Sequence, residues 1–199
     1  VKKEYRIPDA NCFHVGDELD FYFASSYGKD PNTKLSAVVE LEESINELSL
    51  WYEAFPEMKL AISNHGLRWL KKASEAGIPE RLLKTYQEII QAPKGWYWKE
   101  EWIVEAKQPF RVIHGMGYSG KDGHRNAAID GAISTIIGHL HSFAAVDHIK
   151  KNIWAMNVGC LIDEASFAFA YGKYMRNKPV LGCGVVLNNG RTPLFIPFE

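Results

Sequence analysis

What the chain has little of narrows its class first. Its three cysteines, Cys12, Cys160 and Cys183, are odd in number and unpatterned, which argues against a disulfide framework and for reduced thiols serving as core residues. No apolar run approaches the roughly 20 residues of a membrane-crossing helix, and no signal-peptide pattern opens the sequence. The expectation is a soluble, cytoplasmic chain with no membrane partner. Neither sign of charge dominates: 23 Lys and Arg stand against 24 Asp and Glu, so there is no global electrostatic footprint for nucleic acid or lipid, and only a local basic patch remains open. Internal repeats and low-complexity tracts are missing too, which excludes a repeat architecture.

What is present describes a packed globule. Of 199 residues, 46% are hydrophobic and 13% aromatic, and the length suits one domain, 1–199, that buries most of its apolar surface. The most informative stretch is Ser134-Thr-Ile-Ile-Gly-His-Leu-His-Ser142, a β-branched run that ends at glycine and delivers His139 and His141 at its tip. Three further short apolar runs end the same way. Phe13-His-Val-Gly-Asp-Glu-Leu-Asp20 breaks at Gly16 and presents Asp17 and Asp20; Lys59-Leu-Ala-Ile-Ser-Asn-His-Gly66 presents Asn64 and His65; Phe110-Arg-Val-Ile-His-Gly115 presents His114. Neutral imidazoles and carboxylates are what borderline divalent metals take. Four such runs imply one site at the carboxyl ends of sheet strands, where open α/β sheets bind ligands.

In this order the residues resemble the calcineurin-like metallophosphoesterase family, whose blocks read D-x-H, G-D-x-x-D, G-N-H-D/E, a lone histidine before glycine, and G-H-x-H. Gly16-Asp-Glu-Leu-Asp20 matches the second block and Gly138-His-Leu-His141 the last; Ser63-Asn-His65 keeps the third with serine for glycine, and His114-Gly115 supplies the fourth. The first block departs. Ile7-Pro-Asp-Ala-Asn11 reads as the end of a first strand with Asp9 in the aspartate's place, but Asn11 stands where the family has histidine. Asp9 and Asp17 also lie too close in sequence for strands that are parallel neighbours, which need a crossover of roughly a dozen residues or more. Either a segment carrying the histidine is missing from the sequence after Ala10 or Asn11, or the chain lacks the block and has lost its first metal site.

The resemblance implies an α/β (α+β) fold, a four-layer αββα sandwich of two mixed sheets flanked by helices, with the metal site at strand carboxyl ends. It implies a dinuclear metal-dependent phosphoesterase. Manganese is the first choice of metal, with iron, zinc and nickel open. Asp17 would bridge the two ions; Asp9 and His141 would complete the shell of the first, and Asn64, His114 and His139 that of the second. His65 would act as general acid beside the leaving group, oriented by Asp20. A glycine-rich loop could carry His124 and Arg125 over the ions, and Arg68, one turn beyond His65, is a further candidate to grip substrate phosphate.

Plainer roles stand beside these. Asp17 and Asp20 suit a turn or helix cap, Asn64 an Asx-turn, His114 a hydrogen-bonded core position, and His124, Arg125 and Arg68 solvated helix positions. His14 and His148 read as structural and surface residues. The segment Lys94-Gly-Trp-Tyr-Trp-Lys99, with Arg81 and Lys84, mixes rings and cations as nucleotide and single-strand binders do, or is an edge strand packed on helices. The resemblance, in which a full set of histidines including His65 is typical of diesterases and nucleases, implies a nucleotide or nucleic-acid phosphodiester as the leading substrate. A phosphomonoester or phosphoprotein substrate is the alternative, as is a non-catalytic binding scaffold.

Periodicity predicts a helix over Lys34 to Phe55, two more over Leu67 to Ala76 and Glu80 to Gln91 that form an insertion at about 66–92, and a short one over Gly123 to Ala132. Strands are expected over Trp98 to Ala106, Gln108 to Ile113, Ser134 to Ile137, Ile153 to Val158 and Val180 to Leu187. An Asn188-Asn-Gly190 turn then leads to Thr192 to Ile196.

Overall fold

A computed structural model describes residues 1–26, 36–162 and 178–198. Among them the chain is mixed α+β, with four α-helices and three sheets. Its contacts gather in two compact units, Val1–Lys99 and Glu100–Glu199, a division that composition does not mark.

In the first unit, β1 (Phe13–His14), β2 (Met58–Ala61) and β3 (Trp96–Lys99) form a sheet in that order, parallel throughout. Parallel neighbours need long connections. The first contains α1 (Ala37–Ala54), and the second contains α2 (Arg68–Glu75) and α3 (Tyr86–Ile89). The helical segment at 66–92 is thus the crossover that makes β2 and β3 parallel.

Helix α1 begins where the Ser36 hydroxyl accepts the Val39 N–H at 3.2 Å, an N-cap that satisfies one of the orphan amides of the first turn. Lys34 and Leu35, the expected start of this helix, lie outside the described residues. Leu48 of α1 is buried with Leu19, Phe21, Ala24 and Ile90, while Leu41 and Tyr52 pack at the edge of that cluster. The Glu40 carboxylate accepts the amides of Tyr22 and Phe23 and so fastens the loop after β1 to the helix.

Three expectations are corrected here. Residues 7–11 are not a strand: Pro8 sits at φ −63°, and a 3-10 turn, Asp9–Asn11, follows, with the Asn11 amide on the Pro8 carbonyl at 3.0 Å. No described strand precedes β1, so the crossover that the spacing of Asp9 and Asp17 could not supply is not required. The expected helix from Glu80 to Gln91 divides into a 3-10 turn, Glu80–Leu82, and α3, because Thr85 and Glu88 form a capping box that starts a new helix. The expected strand from Trp98 to Ala106 breaks at Glu100, and its two parts join different sheets. The charged run Lys99-Glu100-Glu101 stands at that break.

In the second unit, β4 (Glu101–Val104), β5 (Phe110–Ile113), β6 (Ser134–Ile137), β8 (Ile153–Val158) and β7 (Ala144–Lys150) lie in the order β4-β5-β6-β8-β7. The central β5, β6 and β8 are parallel, and the outer β4 and β7 antiparallel to their neighbours. Central parallel strands are covered on both faces, and Val112, Ile137, Ala155 and Met156 are accordingly buried. Helix α4 (Gly123–Asp130) is the β5-to-β6 crossover and buries Ala127 and Ala128. A hairpin of β9 (Gly182–Leu187) and β10 (Thr192–Pro197) turns through Asn188, Asn189 and Gly190, all at positive φ, as a tight hairpin turn demands. Strand β7 escapes the sequence pattern, since Ala144-Ala-Val-Asp-His-Ile-Lys150 mixes polar and apolar residues on both faces. No helix among the described residues is long and apolar enough to cross a membrane.

Candidate functional site

In the first unit the chain leaves β1 through Gly16 at φ +94° and Asp17 at φ +60°. The second is a left-handed conformation that aspartate tolerates better than most residues, and it turns the loop toward Asp20. The chain leaves β2 through Ser63, whose hydroxyl accepts the Gly66 amide at 3.0 Å and folds the loop bearing Asn64 and His65. The two loops meet in a closed polar triangle. Asp20 Oδ1 lies 2.9 Å from His65 Nδ1 and accepts from Arg68 Nη1 at 2.6 Å; Nη1 also donates to the Asp20 carbonyl at 2.7 Å. Arg68 Nη2 stands 2.9 Å from His65 Nε2.

This triangle fixes a tautomer. Arginine has only donors, so His65 Nε2 accepts from Arg68 and the ring proton resides on Nδ1, donated to Asp20. Arg68 therefore positions His65 and Asp20 in this state. Asp9 forms an ion pair with Lys2.

In the second unit the same design recurs at the ends of β5 and β6. The His114 carbonyl accepts the amides of Gly138 and His139 at 3.1 and 3.0 Å, which ties the two strand tips together. His114 Nε2 and His139 Nδ1 are 3.0 Å apart, with the rings at 73°. Gly115, at φ +105°, permits this approach: a Cβ there would lie 3.1 Å from Ile137 Cβ and 3.3 Å from His139 Cβ. The loop beyond is braced by Asn157, which donates to the carbonyls of Leu140 and Phe143, and by the Val180 amide on the His141 carbonyl at 2.9 Å.

The imidazole pair passes a test of fit for a metal. Two nitrogens each about 2.0–2.1 Å from one ion and at right angles to each other stand about 3.0 Å apart. The observed separation suits adjacent positions in one coordination shell as well as it suits a shared proton.

His124 and Arg125 both lie beside carboxylates. His124 is buried, with Nε2 2.7 Å from Asp147 Oδ2 and its ring against Phe143. Arg125 reaches Asp122 and Asp147 at 3.6 and 3.7 Å. Asp147 went unread in the sequence because β7 did.

Glu18 stands in the same block as Asp17 and Asp20. Its side chain is 3% exposed, and its Oε1 accepts the Trp98 Nε1–H at 2.7 Å. Burial, and then Glu18, push the Tyr86 phenol well above its ordinary pKa. Burial likewise raises the thiols of Cys12 and Cys183, which disfavours the thiolate needed of a ligand or nucleophile.

Comparison with protein-family models, with curated proteins and with solved structures finds no match.

Proposed function

We propose that the chain is a dinuclear metal-dependent phosphoesterase that hydrolyses a nucleotide or nucleic-acid phosphodiester, with the αββα sandwich of the calcineurin-like metallophosphoesterases. One observation carries the reading: β1, β2, β5 and β6, parallel in pairs, are each followed at the carboxyl end by one of the four blocks of that family's pattern. Chance placement of apolar runs and histidines has no reason to put all four blocks at the same end of parallel strands.

In this reading Asp17 would help to hold two divalent ions, manganese first. Asn64, His114 and His139 would serve one ion, and Asp9 and His141 the other, where Asn11 stands in place of the first-block histidine. Such ions would activate water at neutral pH and offset phosphoryl charge. The protein's own groups manage the leaving group. His65 can protonate it only from Nε2, the nitrogen that accepts from Arg68. Arg68 must therefore release His65, and a phosphoryl oxygen competing for the guanidinium gives it cause to do so. Once free of Arg68, Nε2 takes a proton from solvent and passes it to the leaving oxygen, so the ring ends neutral as it began, while Asp20 accepts from Nδ1 throughout.

The test is metal content per chain after equilibration with manganese, together with hydrolysis of bis(p-nitrophenyl) phosphate and p-nitrophenyl phosphate. Two ions and faster diester turnover are expected. Faster monoester turnover would make the chain a phosphomonoesterase or protein phosphatase. One ion or none, with no turnover, would make it a binding scaffold.

A further inference from the structure

The segment Lys94-Gly-Trp-Tyr-Trp-Lys99 has no role in the chemistry above, yet the fold gives its rings cationic neighbours. In the first unit a cavity of about 720 Å³ is lined by Tyr97 and Trp98 of β3, by Trp69 of α2, and by Arg81 and Lys84 of the β2-to-β3 crossover. Tyr97 is 60% exposed, Trp69 and Trp98 are half-buried, and Arg81 and Lys84 are exposed. Ser63 and Gly66, which bracket Asn64 and His65, lie in the same lining, so the cavity abuts the His65 loop.

Positive charge is concentrated on this part of the chain. Residues 62–99, the crossover and β3, carry seven Lys and Arg against three Glu, whereas the whole chain has 23 basic against 24 acidic residues. Two of those three acids are taken up locally. Glu75 pairs with Lys72 at 2.9 Å, and Glu88 accepts from the Thr85 amide and hydroxyl in the capping box of α3. The third, Glu80, lies in the cavity lining next to Arg81. Glu18, the other carboxylate of the lining, is committed to the core, where it accepts from Trp98 Nε1 at 2.7 Å and from the Tyr86 hydroxyl. That bond, with the edge-on contact of Tyr86 at 5.4 Å, fixes the Trp98 ring before any partner arrives, which lowers the ordering cost of binding.

Accessible rings with cations beside them suit a polyanion that carries flat, unstacked groups. A single strand of nucleic acid is one: its bases stack on aromatic side chains whatever their identity, and its phosphates attract Lys and Arg. A duplex keeps its bases inside its own stack and offers only phosphates. An acidic peptide supplies charge but no regular series of faces for the rings, and an anionic bilayer is a flat surface that does not fill a cavity.

We propose that this cavity and its basic rim form a cleft for single-stranded nucleic acid of any sequence, with Tyr97 and Trp98 stacking bases and Arg81 and Lys84 holding phosphates. The inference rests on the phosphodiesterase reading for its purpose and deepens it, since a strand seated against the His65 loop makes single-stranded polynucleotide the substrate class. Binding itself requires neither metal nor hydrolysis.

Fluorescence anisotropy of a labelled oligothymidylate of about 12 nucleotides, within the span of common single-strand sites, tests it on the full chain freed of metal with EDTA. Saturable binding is expected, at least tenfold tighter than to a duplex of equal length. Tyr97→Ala should weaken the strand fivefold or more with the salt dependence unchanged, and Tyr97→Phe should bind as the parent does. Arg81→Ala combined with Lys84→Ala should instead flatten the slope of log affinity against log salt by about 1.4, the worth of two phosphate contacts on a single strand. The three side chains are exposed, so the urea midpoint of each variant should match the parent's. No strand binding, equal or tighter binding of duplex, polyglutamate or phosphatidylserine vesicles, or unchanged affinity and slope in the folded variants would overturn the proposal. The phosphodiesterase reading fails separately: strand binding without diester hydrolysis by the manganese-loaded parent leaves the cleft standing and removes the enzyme, and hydrolysis of bis(p-nitrophenyl) phosphate without strand binding does the reverse.

Discussion

The two units solve the same local problem differently. Both end parallel strands in loops rich in ligand-type residues, yet the first closes its polar groups on one another and the second brings like rings together. Asp20, His65 and Arg68 form a charge-assisted triangle in which each partner fixes the orientation of the next. His114 and His139 can share at most one proton between facing nitrogens, an arrangement that gains from a Lewis acid in the proton's place. An acid, a base and a cation are suited to aiming a group at a substrate; two neutral nitrogens at cis-ligand spacing are suited to holding an ion. The contrast predicts a division of labour between orientation and metal retention.

Variants at the two clusters would break that division most visibly. His65→Ala is expected to lower kcat on a diester by about 10²–10⁴-fold, the usual worth of a positioned proton donor, with metal per chain unchanged. His114→Ala should do the reverse at the level of binding, reducing the manganese retained after gel filtration from two ions toward one. Elemental analysis beside initial rates reads both. Equal metal loss in the two variants would abolish the distinction, and full activity in His65→Ala would remove that residue from the chemistry.

A smaller effect tests how the histidine pair is made. Gly115→Ala forces a side chain onto a backbone at φ +105° and within 3.3 Å of His139. A loss of roughly 1–3 kcal/mol in urea-unfolding stability is expected from the strained conformation, together with weaker metal retention. Unchanged stability would mean that the loop relaxes freely and that the close approach of the rings is not imposed by the glycine.

The strand ends that bear the blocks were legible in the sequence because apolar runs stopped at glycine or serine and polar residues followed at once. So was the β9–β10 turn, whose Asn-Asn-Gly supplies the positive φ that the geometry needs. The parts that escaped depend on long-range partners. Nothing local says that Glu18 will meet Trp98, 80 residues away, or that Asp147 will meet His124. The break at Glu100 had a local mark, the charged run Lys99-Glu100-Glu101, but nothing local says that the strands on its two sides join different sheets. Resemblance to the family's first block drew Asp9 into a strand, where Pro8 and a 3-10 turn intervene. The one block that departs in sequence also departs in backbone.

The smallest expected effect concerns pH and separates the units again. His14, at the end of β1, has its pKa lowered below the ordinary 6.5, chiefly by burial and against the opposing pull of Glu18 and Asp17. Its Nδ1 accepts the Gly16 amide, a bond open only to the unprotonated nitrogen. Above pH 6.5 the ring is neutral in the folded and unfolded chain alike, and its contribution to stability is fully present. As pH falls below 6.5 the unfolded chain takes up a proton that the folded one refuses, so stability drops until the lowered folded pKa is passed and is flat beyond it. Urea unfolding at pH 7.5 and 5.5 should show a smaller acid loss in His14→Asn, which keeps an acceptor for Gly16, than in the parent. An identical loss in both would assign the acid sensitivity to the carboxylates and leave the loop after β1 without a pH-dependent anchor.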